Sequence, residues 1–116
     1  MELKRYDVVL VDFGNNNIGS EQGGIRPAII VQNDTGNYFS STTIVMPLTK
    51  RIKNLSQPTH TLIVRDKENG LNCDSMAMAE CLRQVSYERV IKMLGSIKNK
   101  RDQHEIKRVY NASYGE

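Results

Sequence analysis

Residues 6–13 read Tyr-Asp-Val-Val-Leu-Val-Asp-Phe. β-Branched and aromatic side chains favour extended backbone. Apolar residues occupy both parities of the run, so this strand is expected to be buried on both faces. Working outward, residues 28–31 (Ala-Ile-Ile-Val) and 42–46 (Thr-Thr-Ile-Val-Met) are runs of the same kind. Between those two sits Asn33-Asp34-Thr35-Gly36-Asn37, whose residues tolerate left-handed backbone and bond their own main chain, and which reads as a turn. Residues 61–64 make a fourth strand, Asn69-Gly70 a turn, and residues 75–79 a fifth strand with Leu82 and Val85 beyond it. Short strands separated by turn signals predict a small antiparallel barrel or sandwich. At the end of the chain the period changes. Ile106, Val109, Tyr110 and Ser113 recur at helical spacing, with Asp102 near the start and Gly115 just past the end. One helix of roughly ten to thirteen residues is expected there, packing Ile106, Val109 and Tyr110 against the sheet. No repeat, linker or low-complexity segment is found, and a single domain is expected over residues 1–116.

A length of 116 residues suits one core and leaves no room for separate nucleotide-binding and substrate halves. Any active site on so small a body is shallow or completed by a second subunit. Two cysteines are too few for a disulfide framework or a structural zinc site. Cys73 and Cys81 lie on or near one strand, too far apart to bond along an extended chain, and read as reduced thiols. No apolar run approaches the ~20 residues of a membrane helix and no leader precedes the first strand, so a cytoplasmic setting away from membranes is expected. His60 and His104 are far apart and read as polar or packing histidines. Met76 and Met78 alternate with Ala77 and Ala79, which is core patterning. The carboxylates show no metal-ligand spacing, so neither metal nor cofactor is expected. Sixteen Lys and Arg against thirteen Asp and Glu give a net charge of +3. The one basic concentration is Lys98, Lys100, Arg101, Lys107 and Arg108 against Asp102 and Glu105. It is compatible with a polyanion partner but reads first as a solvated helix face.

Residues 14–26 read Gly-Asn-Asn-Asn-Ile-Gly-Ser-Glu-Gln-Gly-Gly-Ile-Arg, followed by Pro27. Hairpin loops usually take two to five residues, and long ordered loops tend to carry function. Gly19, Gly23 and Gly24 permit unusual backbone angles and close approach by another chain. Glu21 and Gln22 put a carboxylate and an amide between glycines, groups able to read base edges. Arg26 stands where loop becomes strand, and Pro27 pushes it toward extended backbone. A guanidinium on a rigid element suits a phosphate held through two parallel hydrogen bonds. No helix or GK[ST] follows, so the stretch is not a nucleotide-cradling loop.

The block Gly19-Ser20-Glu21-Gln22-Gly23-Gly24-Ile25-Arg26-Pro27, followed by Val31-Gln32-Asn33-Asp34, resembles the signature of the MazF/PemK family of toxin endoribonucleases. The resemblance runs on through Met46-Pro47-Leu48-Thr49, Pro58-Thr59-His60 and Asp74-Ser75 to Ala79-Glu80-Cys81-Leu82-Arg83. It implies a mainly β fold, a small SH3-like antiparallel β-barrel with a C-terminal α-helix. It implies metal-independent cleavage of single-stranded RNA at short motifs, leaving a 2′,3′-cyclic phosphate and a 5′-hydroxyl. It also implies a homodimer with RNA in a groove across the subunit interface, and a cognate antitoxin whose acidic, partly disordered tail fills that groove.

By position, Arg26 and Thr49 match the family's catalytic arginine and threonine. In such a reaction the ribose 2′-hydroxyl attacks the adjacent phosphorus, so the protein supplies geometry and charge stabilisation rather than a nucleophile. Arg26 suits electrostatic stabilisation better than proton transfer, because guanidinium stays protonated. The Thr49 hydroxyl can donate to a phosphate oxygen and also accept. Lys50, Arg51 and Lys53 follow at the strand exit as expected contacts to the RNA backbone. Ser20, Glu21, Gln22 and Gly23 match a loop that helps recognise RNA. Glu80 and Arg83 match a segment on the strand bordering the groove, and read equally as a strand-face ion pair. Cys81 and the triplet Asn15-Asn16-Asn17 depart from the family pattern and bear on which RNA motif is cut. Two rivals share the barrel. A gyrase-poisoning toxin depends on a Trp near the helix end, which this chain lacks, and a catalytically silent nucleic-acid-binding barrel is disfavoured by the joint presence of Arg26 and Thr49.

Overall fold

The computed structural model describes residues 2–14 and 23–115. Its strands are β1 (Asp7–Asp12), β2 (Ile25–Ile30), β3 (Thr42–Thr49), β4 (His60–Ile63), β5 (Ser75–Met78), β6 (Arg83–Ser86) and β7 (Val90–Ser96). Two helices, α1 (Asp34–Phe39) and α2 (Lys100–Tyr114), complete it, with single 3₁₀ turns at Ala79–Cys81 and Tyr87–Arg89. The strands pair in the order β4-β5-β3-β2-β1-β7, with β6 also on β3, and every ladder is antiparallel. The path is open, ending at β4 and β7. β3 makes this possible by being shared along its length. Thr42 to Val45 pair with β6, and Leu48 and Thr49 pair with β5. The architecture is mainly β and antiparallel with a C-terminal helix, as the sequence implied.

Alternating side chains of the central strands feed two cores. Val8, Ile29, Met46 and Leu48 join Ile63, Ile106 and Val109 beneath α2. Val9, Val11, Ala28, Ile30 and Val45 join Phe13, Val85 and Val90 on the other face. β1 is therefore buried on both sides, as its two-parity pattern requires. Each fully buried Val or Ile contributes roughly 1.5–3 kcal/mol.

The sequence reading is corrected in four places. The cluster at residues 33–37 opens helix α1 rather than forming a simple turn. Asn33 caps it by accepting from the Gly36 N–H at 2.7 Å, and buried Asn37 accepts from Thr43 Oγ1 at 2.7 Å. The fifth strand stops at Met78, breaks at a 3₁₀ turn, and resumes as β6. Strand β7 was not foreseen. It pairs with β1 through two register shifts and closely approaches the Asn69-Gly70 turn, where a Cβ on Gly95 would lie 2.3 Å from the Glu68 carbonyl oxygen. Finally, α2 spans 15 residues, capped by Asn99 and by left-handed Gly115, and Tyr110 is 39% exposed instead of packed.

Candidate functional site

The β1–β2 ladder sets Val11 opposite Arg26, and the β2–β3 ladder sets Ala28 opposite Pro47. That ladder ends at Ala28 and Pro47, so Arg26 lies two residues beyond it on β2 and Thr49 two residues beyond it on β3, where Thr49 pairs with Met76 of β5. Val11 and Arg26 are direct cross-strand partners, and Thr49 shares the parity of Val45 and Pro47 on the next strand. Directly opposed residues in an antiparallel pair stand within about 5.5 Å at Cα.

Arg26 is half-buried, and its Nε–H donates to the Gly23 carbonyl at 2.7 Å. That bond fixes the plane of the guanidinium at the start of β2. Below it the ladder continues into the loop, with the Phe13 N–H on the Gly24 carbonyl at 2.9 Å and the Gly24 N–H on the Gly14 carbonyl at 2.8 Å. Gly24 adopts φ 73°, the left-handed conformation for which glycine is suited. Thr49 is 7% exposed and accepts the Arg51 N–H at its Oγ1, at 3.2 Å. Its hydroxyl hydrogen is not used in that bond and can be donated. Arg83, opposite Val45 on β6, shares the same sheet face and lays its guanidinium carbon 5.1 Å from the Phe13 ring centroid. Among the described residues, the Arg26 and Arg83 guanidiniums and the Thr49 hydroxyl share this face.

A groove of ≈ 820 Å³ has Arg26 in its wall. Arg26, Lys50 and Lys92 are its charged lining residues, and no carboxylate is among the described ones. Gly23, Gly24 and Gly70 bring bare backbone to its wall. Such a groove attracts anions. Thr49, Arg51, Lys53, Glu80 and Arg83 do not line it. Lys50 is exposed, immediately past the end of β3 at Thr49. Arg51 and Lys53 are exposed on the loop beyond. Ser20, Glu21 and Gln22 lie outside the described residues.

Glu80 does not sit on the strand with Arg83. It belongs to the 3₁₀ turn, where its carboxylate meets His60 Nε2 at 2.6 Å. His60 is a packing histidine, 5% exposed, with both ring nitrogens engaged. His104 is exposed on α2. Cys73 and Cys81 are not joined by a disulfide. On α2, Arg101 pairs with Asp102 and Arg108 with Glu105, both at 2.8 Å, so two of the five basic residues at this end are matched within the helix. The hydrogen bond from Arg108, with a smaller one from Thr61, holds the Glu105 carboxyl below its ordinary value. Among the described residues, no group of His, Cys, Asp and Glu is arranged to hold a metal, and no helix is long and apolar enough to cross a membrane. Two features escaped the sequence reading. Lys92 carries no motif and belongs to the unforeseen β7, and the His60–Glu80 pair joins residues that share no element.

The chain has relatives in sequence and in fold. The PemK-like, MazF-like toxins of type II toxin–antitoxin systems match residues 4–112 as a family. A protein of Staphylococcus saprophyticus named endoribonuclease MazF is 41% identical over 110 residues, covering 95% of this chain and 87% of its own. The crystal structure of MazF from Deinococcus radiodurans superimposes at TM-score 0.80 with 19% identity, over 100% of this chain and 99% of that one. A mycobacterial endoribonuclease in complex with its cognate antitoxin does so at TM-score 0.78 with 18% identity, over 97% and 95%. Those two structures speak for the fold, and the staphylococcal relative and the family match speak for descent. This chain therefore belongs to the PemK-like, MazF-like toxin family of type II toxin–antitoxin systems.

Proposed function

We propose that this chain is a sequence-specific, metal-independent endoribonuclease toxin acting on single-stranded RNA, and that it is restrained by a cognate antitoxin. The observation that carries the reading is the cationic groove lined by Arg26, Lys50 and Lys92, with Thr49 at the end of the strand next to that of Arg26. The 41% identical relative named endoribonuclease MazF supports the same activity.

The RNA supplies the nucleophile, its own 2′-hydroxyl. Attack on the adjacent phosphorus releases the 2′-hydroxyl proton and adds negative charge to the non-bridging oxygens. The bond from phosphorus to the 5′-oxygen then breaks, leaving a 2′,3′-cyclic phosphate, and the departing oxygen takes up one proton to become a 5′-hydroxyl. Arg26, held by Gly23, offers a fixed positive charge and directed donors to those oxygens. Thr49 donates its hydroxyl hydrogen while its lone pair stays on the Arg51 N–H. Lys50, Arg51 and Lys53 hold flanking phosphates, Arg83 contributes charge on the same face, and Gly23 with Ser20, Glu21 and Gln22 sets sequence preference. A homodimer would extend the small concave surface of one chain, and an antitoxin with an acidic tail would compete with RNA for its cations. A cytoplasmic location follows from an RNA target.

The test is incubation with a long unstructured RNA in excess EDTA. Cutting at one short motif, reduced about 10²–10³-fold by Arg26→Ala, is the expected result by analogy with loss of an oxyanion-stabilising donor. RNA left intact across varied sequences, or cutting only on addition of magnesium, would overturn it.

A further inference from the structure

Residues 50–59 join β3 to β4 without regular structure and carry three of the proposed phosphate contacts, Lys50, Arg51 and Lys53. This basic span is slung between two fixed points. At one end the Arg51 N–H donates to Thr49 Oγ1 at 3.2 Å. At the other, Asn54 turns left-handed at φ 55° and presents its carbonyl to His60 Nδ1 at 2.9 Å and to the Gln57 N–H at 3.0 Å. A carbonyl only accepts, so Nδ1 carries the proton in that bond. The other ring nitrogen meets the Glu80 carboxylate at 2.6 Å. The main chain around His60 is fixed in turn by α2, where Arg108 donates to the carbonyls of Pro58 at 3.3 Å and His60 at 3.4 Å.

We propose that His60 is a positioning residue for RNA. Its imidazole, oriented by Glu80, fixes the Asn54 carbonyl and thereby the path of Lys50, Arg51 and Lys53 toward the phosphates. The inference rests on the RNA-cleaving reading above and deepens it. Ordering a loose loop on binding carries an entropic penalty, and a loop already set avoids it. Glu80 then serves RNA binding from behind, by holding the ring.

Two variants separate the two ring nitrogens. In His60→Asn the shorter amide falls near Nδ1 and keeps the donor to Asn54. In His60→Gln the longer amide reaches toward Glu80 and loses Asn54. Steady-state cleavage of unstructured single-stranded RNA should show KM raised about fivefold in His60→Gln, the equivalent of one hydrogen bond, with kcat within about twofold of the parent. His60→Asn should stay close to the parent. Lys53→Ala should raise KM alone yet add little on top of His60→Gln, because both act through one loop. Amide hydrogen exchange at residues 50–54 should quicken in His60→Gln and not in His60→Asn. Equal damage by the two variants, kcat falling in step with KM, or unchanged exchange at residues 50–54 would overturn the proposal. The exchange measurement needs no RNA. A protein that cuts no RNA yet shows the His60→Gln change in exchange would sink the nuclease reading and leave the clamp standing.

Discussion

In the reaction proposed above, Arg26 and Thr49 would act from strand backbone in β2 and at the end of β3, which makes their chemistry separable from stability. Replacing Thr49 by Val keeps its shape and deletes the hydroxyl. Single-turnover cleavage by Thr49→Val should slow about 10²–10³-fold, while Thr49→Ser, which keeps the oxygen, should retain most of the rate. Equal loss in both would mean that packing, not the hydroxyl, is what Thr49 contributes. Both residues were legible in the sequence only because they sit in family-like blocks, Gly19 to Pro27 and Met46 to Thr49. Nothing in their spacing says that they lie on neighbouring strands, since strand pairing is a tertiary property. His60 was legible only as a buried polar group. Its partners, the Asn54 carbonyl and the Glu80 carboxylate, come from a loop and a 3₁₀ turn whose approach no local pattern encodes.

Among the elements, those with a strong intrinsic signal were readable: β1 to β4 from β-branched runs, and α2 from its period and its terminal glycine. Helix α1 was hidden because Gly36 and the Asn and Asp around it prefer turns. It forms because Asn33 caps it and Asn37 is tied to Gln32 and Thr43, and to the Tyr87 hydroxyl through its carbonyl. Strand β7 was hidden by Lys92, Gly95 and Ser96, which dilute its apolar pattern, and it exists as the outer partner of β1. The strand's dependence on a close approach makes Gly95 sensitive. A Cβ there would lie 2.3 Å from the Glu68 carbonyl oxygen and 2.6 Å from the Asn69 carbonyl carbon, both backbone atoms. Gly95→Ala should destabilise by about 1–3 kcal/mol, the usual range for overpacking, and be seen as a lower midpoint in urea. On α2, Glu105 is held below its ordinary value of 4.5 by Arg108. A carboxyl lowered in the folded state lends stability above that value and loses it as pH falls through the folded one. Thermal melts from pH 6 to 3 should therefore decline less steeply in Glu105→Gln than in the parent. Parallel curves would remove the Glu105–Arg108 pair from the account.

For the whole molecule, the net charge of +3 matters less than its distribution. The groove's described lining carries Arg26, Lys50 and Lys92 without a carboxylate, whereas part of the charge on α2 is matched internally. If Lys53 neutralises one phosphate, Lys53→Ala should lessen the slope of log KM against log salt by about 0.7, the value for single strands. An unchanged slope would mean that Lys53 stays in solvent. The central claim is that the RNA cleaves itself on a scaffold that supplies charge and geometry. Mass spectrometry of the RNA fragments made in excess EDTA tests this most directly. The account predicts 2′,3′-cyclic phosphate on one side of the cut and 5′-hydroxyl on the other. Fragments ending in 3′-hydroxyl and 5′-phosphate would contradict it, because water would then have been the nucleophile.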